Sequence, residues 1–121
     1  MTNISIGQKA EAKAEKYLRK NGFKLEQRNY RCKCGEIDLI MSNRETIIFV
    51  EVRQRTDYGF GSASESITAS KRSKLSKTAS HYLMTHPEAC HKPCRFDVVA
   101  IDKSGSSTHI DWIPNAFEVD Y

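Results

Sequence analysis

Long apolar runs are missing from this sequence. No stretch approaches the roughly 18 apolar residues that a membrane-spanning helix needs. The segment from Gln8 to Lys20 is polar and charged, whereas a secretory signal carries an apolar region there. Internal repeats and low-complexity segments are absent as well. We therefore expect a soluble cytoplasmic protein without a membrane partner, whose residues 1–121 form a single domain with a real hydrophobic core.

A strong excess of one charge is missing too. Nineteen Lys and Arg residues against fifteen Asp and Glu residues leave a net charge of +4. This balance modestly favours a polyanionic partner such as nucleic acid, and it decides nothing alone.

The two-residue spacing of paired zinc knuckles is absent from the four cysteines. Cys32 and Cys34 form one close pair, and Cys90 and Cys94 form the other. In a reducing cytosol, ordinary thiols are the favoured interpretation. Structural zinc is the alternative, because both pairs precede strand-like segments and could converge in space.

Hydrophobic periodicity predicts an α/β fold in the order helix, three strands, helix, one or two strands. The first helix has helically spaced apolar residues, and Thr68 is a good N-cap for the second, which Pro87 prevents from extending far. The predicted segments are a helix at about Gly7–Asn21, a strand at Phe23–Tyr30, a hairpin at Gly35–Arg53, a helix at Thr68–Thr85, and strands at Arg95–Ile101 and His109–Ile113.

The hairpin carries acids inside strongly apolar runs. Asp38 interrupts the run Gly35–Ile40, and Glu51 interrupts the run Ile47–Arg53. Carboxylates are among the residues least often buried, so acids at such positions need a partner. We expect a turn at residues 42–45, which places Asp38 opposite Phe49 and Glu51 on the diagonal. Two converging carboxylates suit Mg²⁺ or Mn²⁺, which prefer oxygen ligands.

The helices add charged residues at apolar positions. Glu11 lies on the apolar stripe of the first helix and should face the sheet, unless it is an edge residue that pairs with Lys or Arg. Lys71 occupies a similar position in the second helix, where snorkelling is the simpler interpretation. Glu36 reads as a surface acid at a strand end. A buried ion pair of Asp38 and Glu51 with Arg53 is the alternative to a metal site.

These residues together resemble the YraN-like family of bacterial proteins over almost the whole chain. The matching segments are Gly35–Ile40, Phe49–Arg53 with Arg55, Phe60–Gly61, Lys71, Arg95–Val99, and the opening helix with Gly7, Glu11, Ala14 and Tyr17–Leu18. The resemblance implies a restriction-endonuclease-like core of the PD-(D/E)xK type, with a mixed sheet flanked by helices. It also implies a relationship to Holliday-junction resolvases and, by analogy only, a homodimer.

The resemblance assigns roles to individual residues. It implies that Asp38, Glu51 and Glu11 are the metal-binding and catalytic acids, and that Arg53 occupies the position of the catalytic lysine. Arg stays protonated and cannot act as a general base, but it can hold a phosphate. The sequence therefore leaves open whether the protein is catalytically active.

Three function classes follow from the sequence. The first is a Mg²⁺-dependent endonuclease that hydrolyses phosphodiester bonds of DNA, with branched or structured DNA as one option. The second is a non-catalytic nucleic-acid-binding module with the same fold, for which DNA is favoured over RNA, and the third is a zinc-stabilised interaction domain. Candidate nucleic-acid contacts are Arg53, Arg55, Tyr58, Lys71, Arg72, Lys74 and Lys77.

Overall fold

A computed structural model describes residues 6–55, 67–104 and 107–117 of the chain. Its regular elements follow the predicted order, helix, three strands, helix, two strands. They are helix α1 (Ile6–Lys20), strands β1 (Lys24–Cys32), β2 (Gly35–Ser42) and β3 (Ile47–Arg55), helix α2 (Ala69–Thr85), a 3-10 helix (Pro87–His91), and strands β4 (Cys94–Ser104) and β5 (Ser107–Phe117).

The five strands form one mixed sheet in the order β1-β2-β3-β4-β5. All neighbouring strands are antiparallel except β3 and β4, which are parallel and are connected through α2. A parallel pair requires such a crossover connection. The predicted α/β class with a mixed sheet and flanking helices is confirmed, and the architecture is consistent with the restriction-endonuclease-like core that the resemblance implies.

The two helices pack on opposite faces of the sheet. Ala10, Ala14 and Leu18 of α1 lie in one buried cluster, together with residues of β2, β3 and β4. Leu75 and Tyr82 of α2 lie in a second cluster with the other faces of the same strands. Thr68 caps α2 as predicted, because its side chain accepts a hydrogen bond from the Lys71 amide at 3.1 Å. The sheet is thus covered on both sides, as a central β3 with a run of apolar residues requires.

The predicted register of the hairpin is wrong. The turn comprises residues 43–46, so that Ile40 lies opposite Phe49, where Asp38 was expected. Asn43 explains the difference, because its side-chain oxygen accepts hydrogen bonds from the amides of Glu45 and Thr46 at 2.9 and 2.8 Å. Such a side-chain turn fixes where the strands reverse.

The convergence of the two cysteine pairs, on which the zinc alternative depends, is not found for Cys32 and Cys94. Cys32 pairs with Gly35 at the start of β2, whereas Cys94 pairs with Ile47, which in turn lies opposite Ser42 at the end of β2. Seven residue-to-residue steps along β2 separate these positions, on the order of 20 Å. The side chain of Cys90 lies outside the described residues. Cys32 and Cys94 therefore cannot share one zinc ion.

None of the described helices is long and apolar enough to cross a membrane.

Candidate functional site

The two hairpin acids meet where the ladder between β2 and β3 ends. Its last described pair is Leu39 with Val50, and the next step in the same register sets Asp38 beside Glu51. There the amide of Val52 donates to the Oδ2 atom of Asp38 at 2.8 Å, so a side chain replaces the usual backbone acceptor. A cavity of about 220 Å³ opens at this point. It is lined by Gly35, Glu36, Asp38, Glu51, Lys71, Lys74 and Leu75.

Two further acids reach the same region. Asn29 of β1, with its amide nitrogen facing them, donates to Oε1 of Glu11 at 3.2 Å and to Oε1 of Glu36 at 3.1 Å. Asn29 has a φ of 51°, in the left-handed region that Asn tolerates better than most residues. The prediction that Glu11 faces the sheet agrees with its half-buried position. Glu36 was expected at the surface outside the site, and the structure corrects this because Glu36 lies on the cavity wall.

The crowding of acids changes their protonation. The pKa of Asp38 is raised to about 7, mainly by burial and also by the neighbouring carboxylates of Glu51, Glu11 and Glu36, against the lowering effect of the Val52 amide. Burial also raises the pKa of Glu11, assisted by Glu36 and Glu51 and opposed by the hydrogen bond from Asn29. The raised pKa values of Asp38 and Glu11 thus reflect their burial and the negative charge of the acids around them.

Two cations approach these acids from different elements. The ammonium of Lys71, from the first turn of α2, lies 2.6 Å from Oε1 of Glu51, which is buried. The Nε atom of Arg53, two residues further along β3, lies 3.8 Å from the same oxygen. Lys74 lies on the cavity wall one turn after Lys71. The structure therefore brings together Glu11, Asp38, Glu51, Arg53 and Lys71, the residues that sequence reasoning singled out for the site.

Two further predicted nucleic-acid contacts, Arg72 and Lys77, do not line this cavity. Arg72 is half-buried on α2, and Lys77 is exposed on the same helix. Tyr58 lies outside the described residues, and so does the side chain of Arg55. Sequence reasoning missed Asn29, since an exposed Asn in a strand has no apolar pattern to mark it. Its position before the buried Tyr30 was the only available signal.

The donor set of the cavity suits a hard divalent cation, although the side chains do not enclose one as they stand. Within residues 6–55, 67–104 and 107–117, no group of three or more Asp, Glu, His or Cys side chains is positioned to hold an ion. The reason is visible in the contacts: Lys71 contacts Glu51, and Asn29 holds Glu11 and Glu36. The oxygen atoms of Asp38 and Glu51 are of the type that Mg²⁺ and Mn²⁺ bind. An ion that neutralised them would replace the ammonium of Lys71.

Comparison with known proteins gives a consistent result. A family model described as "Uncharacterised protein family UPF0102" matches residues 10–101. A UPF0102 protein of Nitrosococcus oceani is 47% identical over 119 residues, which cover 98% of this chain and 96% of the relative. Another, from Nitrosospira multiformis, is 49% identical and covers 100% of this chain and 99% of its own length. A third, from Methylobacillus flagellatus, is 50% identical over 93% of this chain and 96% of the relative. These matches confirm the family resemblance that the sequence motifs carry.

Proposed function

Because the chain belongs to the UPF0102 family, whose name assigns no activity, we propose from its own site that it is a divalent-metal-dependent endonuclease. The substrate class is nucleic acid, with DNA favoured over RNA. The observation that carries the proposal is the meeting of Asp38 and Glu51 in one cavity with Glu11 and Glu36 beside them. Structural acids are normally paired with enough cations or donors to offset their burial. Of the four carboxylates, Glu51 pairs with Lys71 and Glu36 with Arg31. Asp38 and Glu11 accept hydrogen bonds but have no ion pair among the described residues.

The acids have different roles in the proposed metal site. Asp38 and Glu51 would hold the ion, and Glu11 would complete or orient the coordination from α1. A bound Mg²⁺ or Mn²⁺ supplies Lewis-acid chemistry and a water of lowered pKa. Asp38 has to be ionised to act as a ligand, and its pKa of about 7 makes ion binding stronger on the alkaline side of neutrality.

The two cations have separate tasks. Arg53 has a planar guanidinium group that matches a phosphate, so it would orient the phosphodiester and stabilise charge that develops on it. Lys71 lies on Glu51 at 2.6 Å and would turn toward the phosphate once the acids are neutralised.

The proposal is tested by cleavage of a panel of labelled substrates: branched, single-stranded and duplex DNA, and structured RNA, each with Mg²⁺ and with Mn²⁺. We expect metal-dependent cleavage of at least one DNA substrate, with a loss of 100-fold or more in Asp38→Asn and in Glu51→Gln. Glu88→Gln is the matched control, because Glu88 is an exposed acid of the 3-10 helix and lines neither the cavity around Asp38 nor the groove at the end of α1. Equal activity in all four proteins, or no cleavage of any substrate, would contradict the proposal.

A second candidate is a nucleic-acid-binding module without catalysis. The ion pair between Lys71 and Glu51 favours it, because a site neutralised by its own ammonium has less need of a metal. The two candidates differ in one result: the binding module retains affinity in the Asp38→Asn variant and cleaves nothing with either metal.

A further inference from the structure

The outward face of α1 is uniformly basic. Its four exposed lysines follow the spacing 4, 3, 4, so that they lie within one narrow arc of the helix and span roughly 16 Å along its axis. They are Lys9, Lys13, Lys16 and Lys20. Among the residues that the structure describes, none of the four has an ion-pair partner.

Both acids of α1 point away from this face. Glu15 is buried and pairs with Arg19 at 2.8 Å and with Arg28 at 2.6 Å. Glu11 is half-buried and accepts a hydrogen bond from Asn29 beside the candidate active site. The two acids of α1 therefore face the protein, whereas its four lysines face the solvent.

Such an arrangement is unfavourable for the isolated protein. Lysines four residues apart on a helix repel each other, as Lys9 and Lys13 or Lys16 and Lys20 do, whereas an acid at either position would stabilise the helix. No fold requirement explains four unneutralised lysines on one arc. A polyanionic partner does, because it would release its condensed counterions to them.

A basic groove continues this face at the end of α1. It is a cavity of about 730 Å³ that the residues after the helix and the turn between β2 and β3 enclose. Its lining residues are Arg19, Gly22, Phe23, Lys24, Ser42, Asn43, Arg44, Glu45 and Lys92. The ammonium of Lys92 is held there by the carbonyl oxygen of Asn43 at 2.8 Å, and the buried hydroxyl of Ser42 has no partner among the described residues. Four cations and one acid line the groove. Arg19 and Lys24 also pair with Glu15 and Glu26, but Arg44 and Lys92 have no ion pair among the described residues, so the groove too favours an anion.

The position of α1 relates this surface to the active site. Near its N-terminal end Glu11 shares Asn29 with Glu36 of the cavity, and near its C-terminal end Arg19 lines the groove. We propose that the lysine face of α1 and this groove form a docking surface for the phosphate backbone of a nucleic acid whose adjoining segment lies at the acid cavity. The inference rests on the proposed function for its choice of polyanion.

The test measures binding, not cleavage. Anisotropy of a fluorescent 20-base-pair DNA duplex is followed without divalent metal over a series of NaCl concentrations, for wild type and for the double variant Lys13→Gln/Lys20→Gln. Each lost phosphate contact reduces the magnitude of the slope of log K against log salt by about 0.9. For two lost contacts we expect the slope to change by about 1.8 and the affinity at the lowest salt to fall at least tenfold. Gln has a helix propensity close to that of Lys, and circular dichroism checks that the fold is unchanged.

A second variant separates position from net charge. Ser80→Glu/Thr108→Glu alters exposed residues of α2 and β5, and it lowers the formal net charge from +4 to +2 as the lysine variant does. We expect it to keep most of the wild-type affinity and slope. Equal losses in the two variants, or no loss in the lysine variant, would overturn the docking surface.

Failure of this inference is distinct from failure of the proposed function. Cleavage with unaltered binding by the lysine variant would refute the α1 surface and leave the nuclease standing. Lysine-dependent binding without cleavage would support the surface and refute the nuclease. Equal lysine-dependent binding of DNA and of phosphatidylserine vesicles would overturn the assignment to nucleic acid.

Discussion

Asp38 and Asp97 are two aspartates of the same sheet, and they differ in what surrounds them. Asp97 of β4 is fully buried and accepts four hydrogen bonds: two from the guanidinium of Arg95 at 2.9 and 3.1 Å, one from Trp112 Nε1 at 2.9 Å and one from the amide of Asn115 at 3.0 Å. Asp38 of β2 accepts one hydrogen bond, from the amide of Val52, and lies near three other carboxylates. The number of hydrogen-bond donors, more than burial, distinguishes these two aspartates.

The largest effect is expected at Asp97. Asp97→Ala would leave a partly buried guanidinium and an indole N–H without their acceptor, so the free energy of unfolding should fall by about 3 kcal/mol or more. Urea unfolding at pH 7 measures this change, with Glu45→Ala as the control for removal of an exposed acid. A loss no larger than that of the control would show that the hydrogen bonds of Asp97 do not stabilise the fold. The contrast between Asp97 and Asp38 would then not hold.

At Asp38, replacing the carboxylate is expected to raise the free energy of unfolding at high pH, the opposite of the change expected at Asp97. Its pKa is about 7 in the folded protein and near 3.8 when unfolded. Between these values the folded state binds more protons, so stability falls as pH rises from about 4 to about 7 and stays low above that. Asp38→Asn keeps an acceptor for the Val52 amide and removes the titration. It should therefore stabilise the protein by about 2 kcal/mol at pH 8, with the difference disappearing below pH 4.

Thermal unfolding of both proteins at pH 4, 6 and 8 in the presence of a chelator tests that sign. A variant less stable than wild type at pH 8 would mean that Asp38 is as well supported as Asp97.

The smallest effect concerns the cation on the other hairpin acid. Lys71→Met removes the ammonium from Glu51, and Arg53 remains at 3.8 Å. Because the Lys71 side chain is 41% exposed, the cost should be only about 1 kcal/mol in the absence of metal. Lys77→Met, at an exposed position of the same helix, should cost less than 0.5 kcal/mol. Indistinguishable urea midpoints for the two variants would show that Lys71 does not neutralise the cavity.

Much of the fold could be predicted from the sequence, because apolar periodicity and a good N-cap are local signals. The order of elements and the Thr68 cap were predicted correctly for this reason. The hairpin register was not, since the side chain of Asn43 sets the turn one residue later than composition alone indicates. The parallel pairing of β3 with β4 also has no local signal.

The candidate site was predicted in part. Asp38 and Glu51 interrupt apolar strands, and Glu11 interrupts an apolar stripe, so their exceptional character could be seen in the sequence. Glu36 and Asn29 enter the site through the backbone geometry around a residue with positive φ, which no periodicity encodes. The lysine face of α1 was visible as a spacing, but it acquires meaning only once Glu11 and Glu15 are seen to point inward.

Asp38 has no ion-pair partner among the residues that the structure describes, and we expect a divalent cation to take that place. Calorimetric titration of Mn²⁺ into the purified protein at pH 8 tests this central claim most directly, with Asp38→Asn, Glu51→Gln and Glu88→Gln measured in parallel. We predict one site in wild type and in Glu88→Gln, an affinity at least tenfold lower in each of the two cavity variants, and weaker binding by wild type at pH 6, where Asp38 is largely protonated. Absence of binding at millimolar Mn²⁺, or equal affinity in all four proteins, would contradict the account.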